Sequence, residues 1–160
     1  MTVTVVFLRD SSGEQQVPKL LADIKQNAEK NEDYAELLSR INDVFRIISS
    51  IGVPEINNRT HFSKGHKGQP ITLSAIVKEL KYHPPLLESR ANGYAVGIGA
   101  FRAIFFYEKD SNGNQTIYYT QAILKQSRSS AAFNNAVSIS EQMMKDFYEA
   151  KGGYVIWDKT

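Results

Sequence analysis

Phe101 to Arg128 reads FRAIFFYEKD-SNGN-QTIYYTQAILKQSR. The first run is rich in Phe, Tyr and Ile, and the second in Tyr, Thr and Ile. Such side chains fit a pleated, half-buried surface. Between them, Ser111-Asn112-Gly113-Asn114 is turn chemistry, because Asn and Gly accept a positive φ at little cost. The stretch therefore predicts a hairpin of strands Phe101–Asp110 and Gln115–Leu124. Its second strand ends in a polar, basic cluster of Lys125, Gln126, Ser127 and Arg128.

Composition bounds what this hairpin belongs to. The chain has 160 residues, 42% hydrophobic and 22% charged, as in ordinary globular proteins. That length predicts one domain, residues 1–160. Cysteine is absent, which excludes disulfides, thiol catalysis and cysteine metal sites. No apolar run is long enough to span a membrane, and Met1 to Asp10 lacks the charge and cleavage pattern of a signal peptide. A cytoplasmic protein without membrane contact is the expectation.

Net charge is only +2, but its distribution is uneven. Arg59, Lys64, Lys67, Lys78, Lys81 and Arg90 share one window with His61, His66 and His83, opposed only by Glu79 and Glu88. Such a region suits phosphates or an acidic partner, and equally suits a solvated face with no partner.

The rest of the chain frames the hairpin. Thr2 to Arg9 alternates and is β-branched, predicting a first strand. Val17, Leu20, Leu21, Ile24 and Ala28 fall at helical spacing, with Pro18 in the first turn. Asn31 opens a second helix with Glu32 and Asp33 in its first turn. Its apolar stripe runs from Tyr34 to Ile51, and Gly52 and Pro54 end it. Val53 to Pro70 reads as a loop, Ile71 to Leu80 as a short helix or a strand, with the spacing of Leu73, Ile76, Val77 and Leu80 leaning to a helix, and Pro84-Pro85 as extended. Leu86–Arg90 and Tyr94–Ile98 are short strands joined at Asn92-Gly93. Ser129 or Ser130 caps a last helix with Phe133, Val137 and Phe147 on its stripe. Tyr154 to Trp157 is a final strand or terminal clamp. The expected class is α+β: N-terminal helices on one face of a small antiparallel sheet, followed by a C-terminal helix.

In this order the residues resemble the RelE/ParE/HigB superfamily of type II toxin–antitoxin toxins, over roughly Asp33 to Ala150. Leu87-Glu88-Ser89-Arg90 is similar to the family's "leucine, glutamate, any, arginine" strand. Phe101-Arg102-Ala103-Ile104-Phe105-Phe106 is similar to its Tyr-Arg-Val-Leu-Phe strand. Lys125-Gln126-Ser127 resembles its Lys-Lys-Thr-like cluster, with Gln126 in place of the second lysine. The N-terminal strand, one helix and the long loop before Pro70 are additions to the compact RelE-like domain.

The resemblance implies metal-independent cleavage of mRNA on the ribosome, by attack of a 2′-OH on the adjacent phosphate. It implies no cofactor and no metal, and a cognate antitoxin as partner. Cations suit the developing phosphorane charge because they keep their protons and bond phosphate strongly. Arg90, Arg102, Lys125 and Arg128 are the candidate catalytic residues, and Lys78, Lys81, His83 and Tyr119 the candidate RNA contacts. His83 could exchange a proton near neutral pH. Tyr118 or Tyr119 could stack on a base, although alternation sends one of the two into the core. The blander reading pairs Arg90 and Arg102 with Glu88 or Glu108 on the sheet surface. Two other functions fit the same resemblance: a ParE-like toxin that binds gyrase, and a non-catalytic phage-associated or interaction protein that keeps the fold.

Overall fold

The computed structural model describes residues 1–53, 60–92, 98–126 and 130–151. The elements in chain order are β1 (Val3–Phe7), α1 (Gln16–Ala28), α2 (Glu32–Ile51), β2 (Thr60–Lys64), β3 (Pro70–Ser74), β4 (Val77–Glu79), β5 (Leu87–Asn92), β6 (Ala100–Lys109), β7 (Gln115–Lys125) and α3 (Ala131–Lys151).

The predicted hairpin is β6–β7, and it forms the middle of the main sheet. Its turn is held by Asp110, whose Oδ1 accepts the backbone N–H groups of Asn112 and Asn114, both at 2.9 Å. Gly113 supplies the positive φ of 83°. Strand order is β1-β7-β6-β5-β4, and among the described residues β2 pairs with β3 in a separate two-stranded sheet. β1 runs parallel to β7, whereas the other pairs are antiparallel, so the main sheet is mixed rather than antiparallel.

Helices cover both faces of that sheet, not one. Alternation along the strands divides the core. Phe101, Ala103 and Phe105 of β6 pack with Leu37, Ile41 and Ile48 of α2. Ile104 and Phe106, pointing the other way, pack with Val137, Met143 and Phe147 of α3. An apolar residue at nearly every position of β6 is the signature of a strand buried on both sides. That continuous run, rather than an in–out alternation, is what the one-faced expectation overlooked.

The helix ends follow the sequence reading. Asn31 Oδ1 accepts from the backbone N–H groups of Asp33 and Tyr34, and Gly52, at φ 75°, closes α2. Ser130 Oγ accepts the N–H of Phe133 at 3.1 Å and caps α3. The region before Pro70 is not all loop, because Thr60 begins β2. Ile71 to Leu80 holds β3 and β4 rather than a helix: Ile71 and Leu73 alternate with exposed Thr72 and Ser74, a period of two. Pro84 and Pro85, joined by a cis peptide bond, lie in the β4–β5 turn rather than in an extended run. The strand expected at Tyr94–Ile98 falls almost wholly outside the described residues, as does the segment Tyr154 to Trp157.

One irregularity decides which side chains share a face. Ala103 pairs with Ala122, but Phe105 pairs with Tyr119, leaving Thr120 and Gln121 together opposite Ile104. This is a β-bulge in β7. Both extra-register side chains reach toward α3. Thr120 Oγ1 bonds to Ile104 O and Ser140 Oγ, and Gln121 Nε2 lies 3.4 Å from Met143 Sδ. Beyond the bulge the facing is inverted. Tyr119 and Leu124 look toward α1 and α2, whereas Ile123 looks toward α3.

Candidate functional site: an arginine pair on the sheet

The β5 sequence Leu-Glu-Ser-Arg-Ala-Asn alternates. Leu87, Ser89 and Ala91 are buried toward α2, so Glu88, Arg90 and Asn92 take the α3 side. Arg102 of β6 is in direct register with Arg90 and lies on that same side. The structure thus brings two of the four proposed catalytic residues together as a cross-strand pair.

Like charges directly opposed on a sheet repel, and here a single carboxylate lies between them. Glu88 Oε1 is 3.4 Å from Arg90 Nε and 3.9 Å from Arg102 Nε. Arg102 also donates from Nη1 to Asn92 Oδ1 and to Phe101 O, each at 2.9 Å. The Arg102 side chain is 8% exposed and that of Arg90 25%. Arg90 Nε is buried and makes no hydrogen bond among the described residues. Burial, and the charge of Arg90, lower the Arg102 guanidinium from 12.5 to about 10, against a smaller opposing effect of Glu88. It remains a cation at neutral pH. Two cations sharing one carboxylate leave an excess positive charge on a semi-enclosed surface, an arrangement that favours an anion.

The bulge brings Lys125 to this side of the sheet. Strict alternation would have put Lys125 on the face of Tyr119. Instead its Nζ sits 4.8 Å from the ring centroid of Phe133 in the first turn of α3, and its strand position pairs with Ala100, two residues along from the Arg102–Ile123 pair. Arg128 lies outside the described residues.

The proposed RNA contacts are scattered. Lys78 is exposed and in register with Glu88, beside the arginine pair. Lys81 and His83 lie in the β4–β5 turn, at the far end of β5, and His83 Nδ1 pairs with Glu141 Oε1 of α3. Tyr119 is a correction: it has no exposed surface. Its ring packs among Phe7, Phe45 and Phe105, and its hydroxyl meets Ser89 Oγ at 2.6 Å. Tyr118 is not free either, because it packs on Phe106 and Phe147 under α3. With helices on both faces, neither phase of the alternation leaves a tyrosine of this pair available.

Sequence reading treated Glu88 only as a surface partner for arginine and overlooked Asn92. The signal was present in the alternation of β5, which puts Glu88, Arg90 and Asn92 on one side. No group of three or more His, Asp or Glu side chains among the described residues could hold a metal. No described helix is long and apolar enough to cross a membrane. Comparison with protein-family models, with curated proteins and with solved structures gives no match.

Proposed function

We propose that this chain is the toxin of a type II toxin–antitoxin pair and cleaves mRNA without a metal, with Arg90 and Arg102 binding the scissile phosphate. The observation that carries this reading is the in-register arginine pair sharing the one carboxylate of Glu88. The order of the Leu-Glu-Ser-Arg, Phe-Arg-Ala-Ile-Phe-Phe and Lys-Gln-Ser segments supports it. In the reaction the 2′-oxygen bonds to phosphorus and gives up its proton to a base, while the bond to the 5′-oxygen breaks and that oxygen takes up a proton, leaving a 2′,3′-cyclic phosphate and a 5′-hydroxyl. The guanidiniums stabilise the charge that builds on the non-bridging oxygens. Glu88 and Asn92 position the two arginines, and Lys125 adds positive charge at the edge of the cluster.

A second reading is binding without cleavage, as a gyrase-directed toxin or a non-catalytic interaction protein. It is favoured by the absence of an imidazole from the arginine cluster among the described residues, since His83 stands at the other end of β5. Induction in cells with mapping of new mRNA 5′ ends separates the readings. Cleavage predicts new ends and growth arrest, both lost in Arg90→Ala or Arg102→Ala. Arrest without new ends, accompanied by loss of gyrase supercoiling, selects the gyrase target. Harmless overexpression rejects both toxin readings.

A further inference from the structure

With Tyr118 and Tyr119 buried, the exposed aromatic side chains lie elsewhere. Tyr82 is 80% exposed, in the turn between β4 and β5. An aromatic ring so exposed loses the burial that usually keeps it in a sequence. Its turn is well held. Leu80 and Leu86 are joined by Leu80 N–H to Leu86 O at 3.0 Å, and His83 N–H donates to Leu80 O at 3.0 Å. The N–H of Leu86 in turn donates to His83 O at 2.9 Å, and the His83 side chain pairs with Glu141 on α3. Ordering the ring in a complex therefore costs little backbone freedom.

The charges around it are mainly positive. Lys81 Nζ stands 5.4 Å from the Tyr82 ring centroid, and Lys78 is exposed on the adjoining strand. Of the nearby carboxylates, Glu88 is engaged by the arginines and Glu141 by His83, leaving Glu79 exposed. From Arg90 to Leu87, β5 runs about 10 Å, so the arginine pair lies a short way along the strand from the end where the turn joins it. A cavity of about 340 Å³ lies beside the same turn, lined by Lys81, Pro84, Pro85 and Leu86 together with Leu87 of β5 and Tyr107 of β6.

We propose that Tyr82 is a base-stacking platform for single-stranded RNA, with Lys78 and Lys81 holding the phosphates that lead from it to Arg90 and Arg102. This rests on the RNA reading above. Aromatic rings accept any base face, and flanking cations follow the backbone, which is the usual design of single-strand binding surfaces.

The test uses a short fluorescent 2′-O-methyl RNA strand, which keeps bases and phosphates but lacks the attacking hydroxyl. Tyr82→Ala is expected to weaken its binding about tenfold or more, and Tyr82→Phe to bind like the parent. Unchanged thermal midpoints show that both variants fold. If Tyr82→Ala binds like the parent while Arg90→Gln binds weakly, stacking at Tyr82 is wrong and the RNA reading stands. If Tyr82→Phe loses as much as Tyr82→Ala, the hydroxyl and not the ring is responsible, and stacking is again wrong. If Tyr82→Ala instead abolishes capture of a protein partner and leaves RNA binding intact, the turn is a protein interface. Failure of the parent chain to bind any single strand overturns the RNA reading itself.

Discussion

Arg90 and Arg102 face each other in register across β5 and β6, and both ion-pair with the same oxygen, Glu88 Oε1. Stability alone does not favour this arrangement. Burying a guanidinium costs free energy, a like charge opposite adds to the cost, and one carboxylate offsets only part of it. Strain of this sort concentrates where a protein must receive an opposite charge.

Unequal effects are therefore expected from removing members of the cluster. Glu88→Ala leaves two cations without their counter-charge and is expected to destabilise by about 3–5 kcal/mol. Arg90→Gln removes the repulsion and keeps a polar side chain at a 25% exposed site. It should leave stability unchanged or slightly higher while abolishing RNA binding. Urea unfolding of the two variants beside the parent checks the pair. A large loss of stability in Arg90→Gln would make Arg90 a structural residue.

Tyr119→Phe tests the reassignment of that residue. The change empties one half of the buried Tyr119–Ser89 hydroxyl pair and leaves Ser89 without its partner. An expected cost of about 1–2 kcal/mol follows, with no change in RNA affinity, because the ring has no exposed surface. Denaturation and binding measured on one preparation separate the two effects.

Alkaline pH is expected to unfold the protein through its buried phenols. Burial pushes Tyr118 from 10.0 up to about 12, helped by the negative charge of Glu108, and burial raises Tyr119 as well. Both rings stay protonated in the fold at a pH where the unfolded chain ionises. The contribution of Tyr118 is fully present below about pH 10 and is lost as pH rises through about 12, and Tyr119, also raised by burial, acts in the same sense. Arg102, lowered from 12.5 to about 10, acts in the opposite sense over this range, because its unfolded form holds the proton longer. Two phenols against one guanidinium give a net loss. Circular dichroism against pH should show a cooperative transition above pH 10 that moves to higher pH in Tyr118→Phe.

Much of the scaffold was legible because it depends on local chemistry. The Asn31 cap, the Gly52 stop and the Asp110–Asn114 turn act within a few residues of themselves. The β6–β7 strands were legible from their side-chain types. Three things depended on distant partners. The parallel pairing of β1 rests on Gln115 and Tyr119, far along the chain. The placement of α3 on the second face rests on contacts that no sequence period reports. The β2–β3 hairpin is anchored on α2 by Ser63 bonding to Asp43 and by Glu36 accepting from Gln69, pairs invisible to a local reading. The candidate site divided in the same way. Arg90 and Arg102 were recognisable within their strands, but the facing of Lys125 and Tyr119 required the bulge.

That bulge yields the last prediction. Thr120 Oγ1 lies 3.0 Å from Ile104 O and 2.6 Å from Ser140 Oγ, all of it buried, and so ties the extra residue of β7 to α3. Thr120→Val keeps the shape but strips the hydroxyl, leaving Ser140 with a lost partner and costing about 1–3 kcal/mol. The loss should fall on the α3 layer rather than on the whole molecule. Hydrogen exchange is expected to accelerate in α3 and in the end of β7 near Lys125, with the Phe101–Ala91 region of the sheet unchanged. RNA binding should then weaken through displacement of Lys125, although Thr120 is far too buried to touch a ligand. Uniform acceleration across all three helices would show that the bulge does not set the facing of Lys125 but merely contributes to global stability.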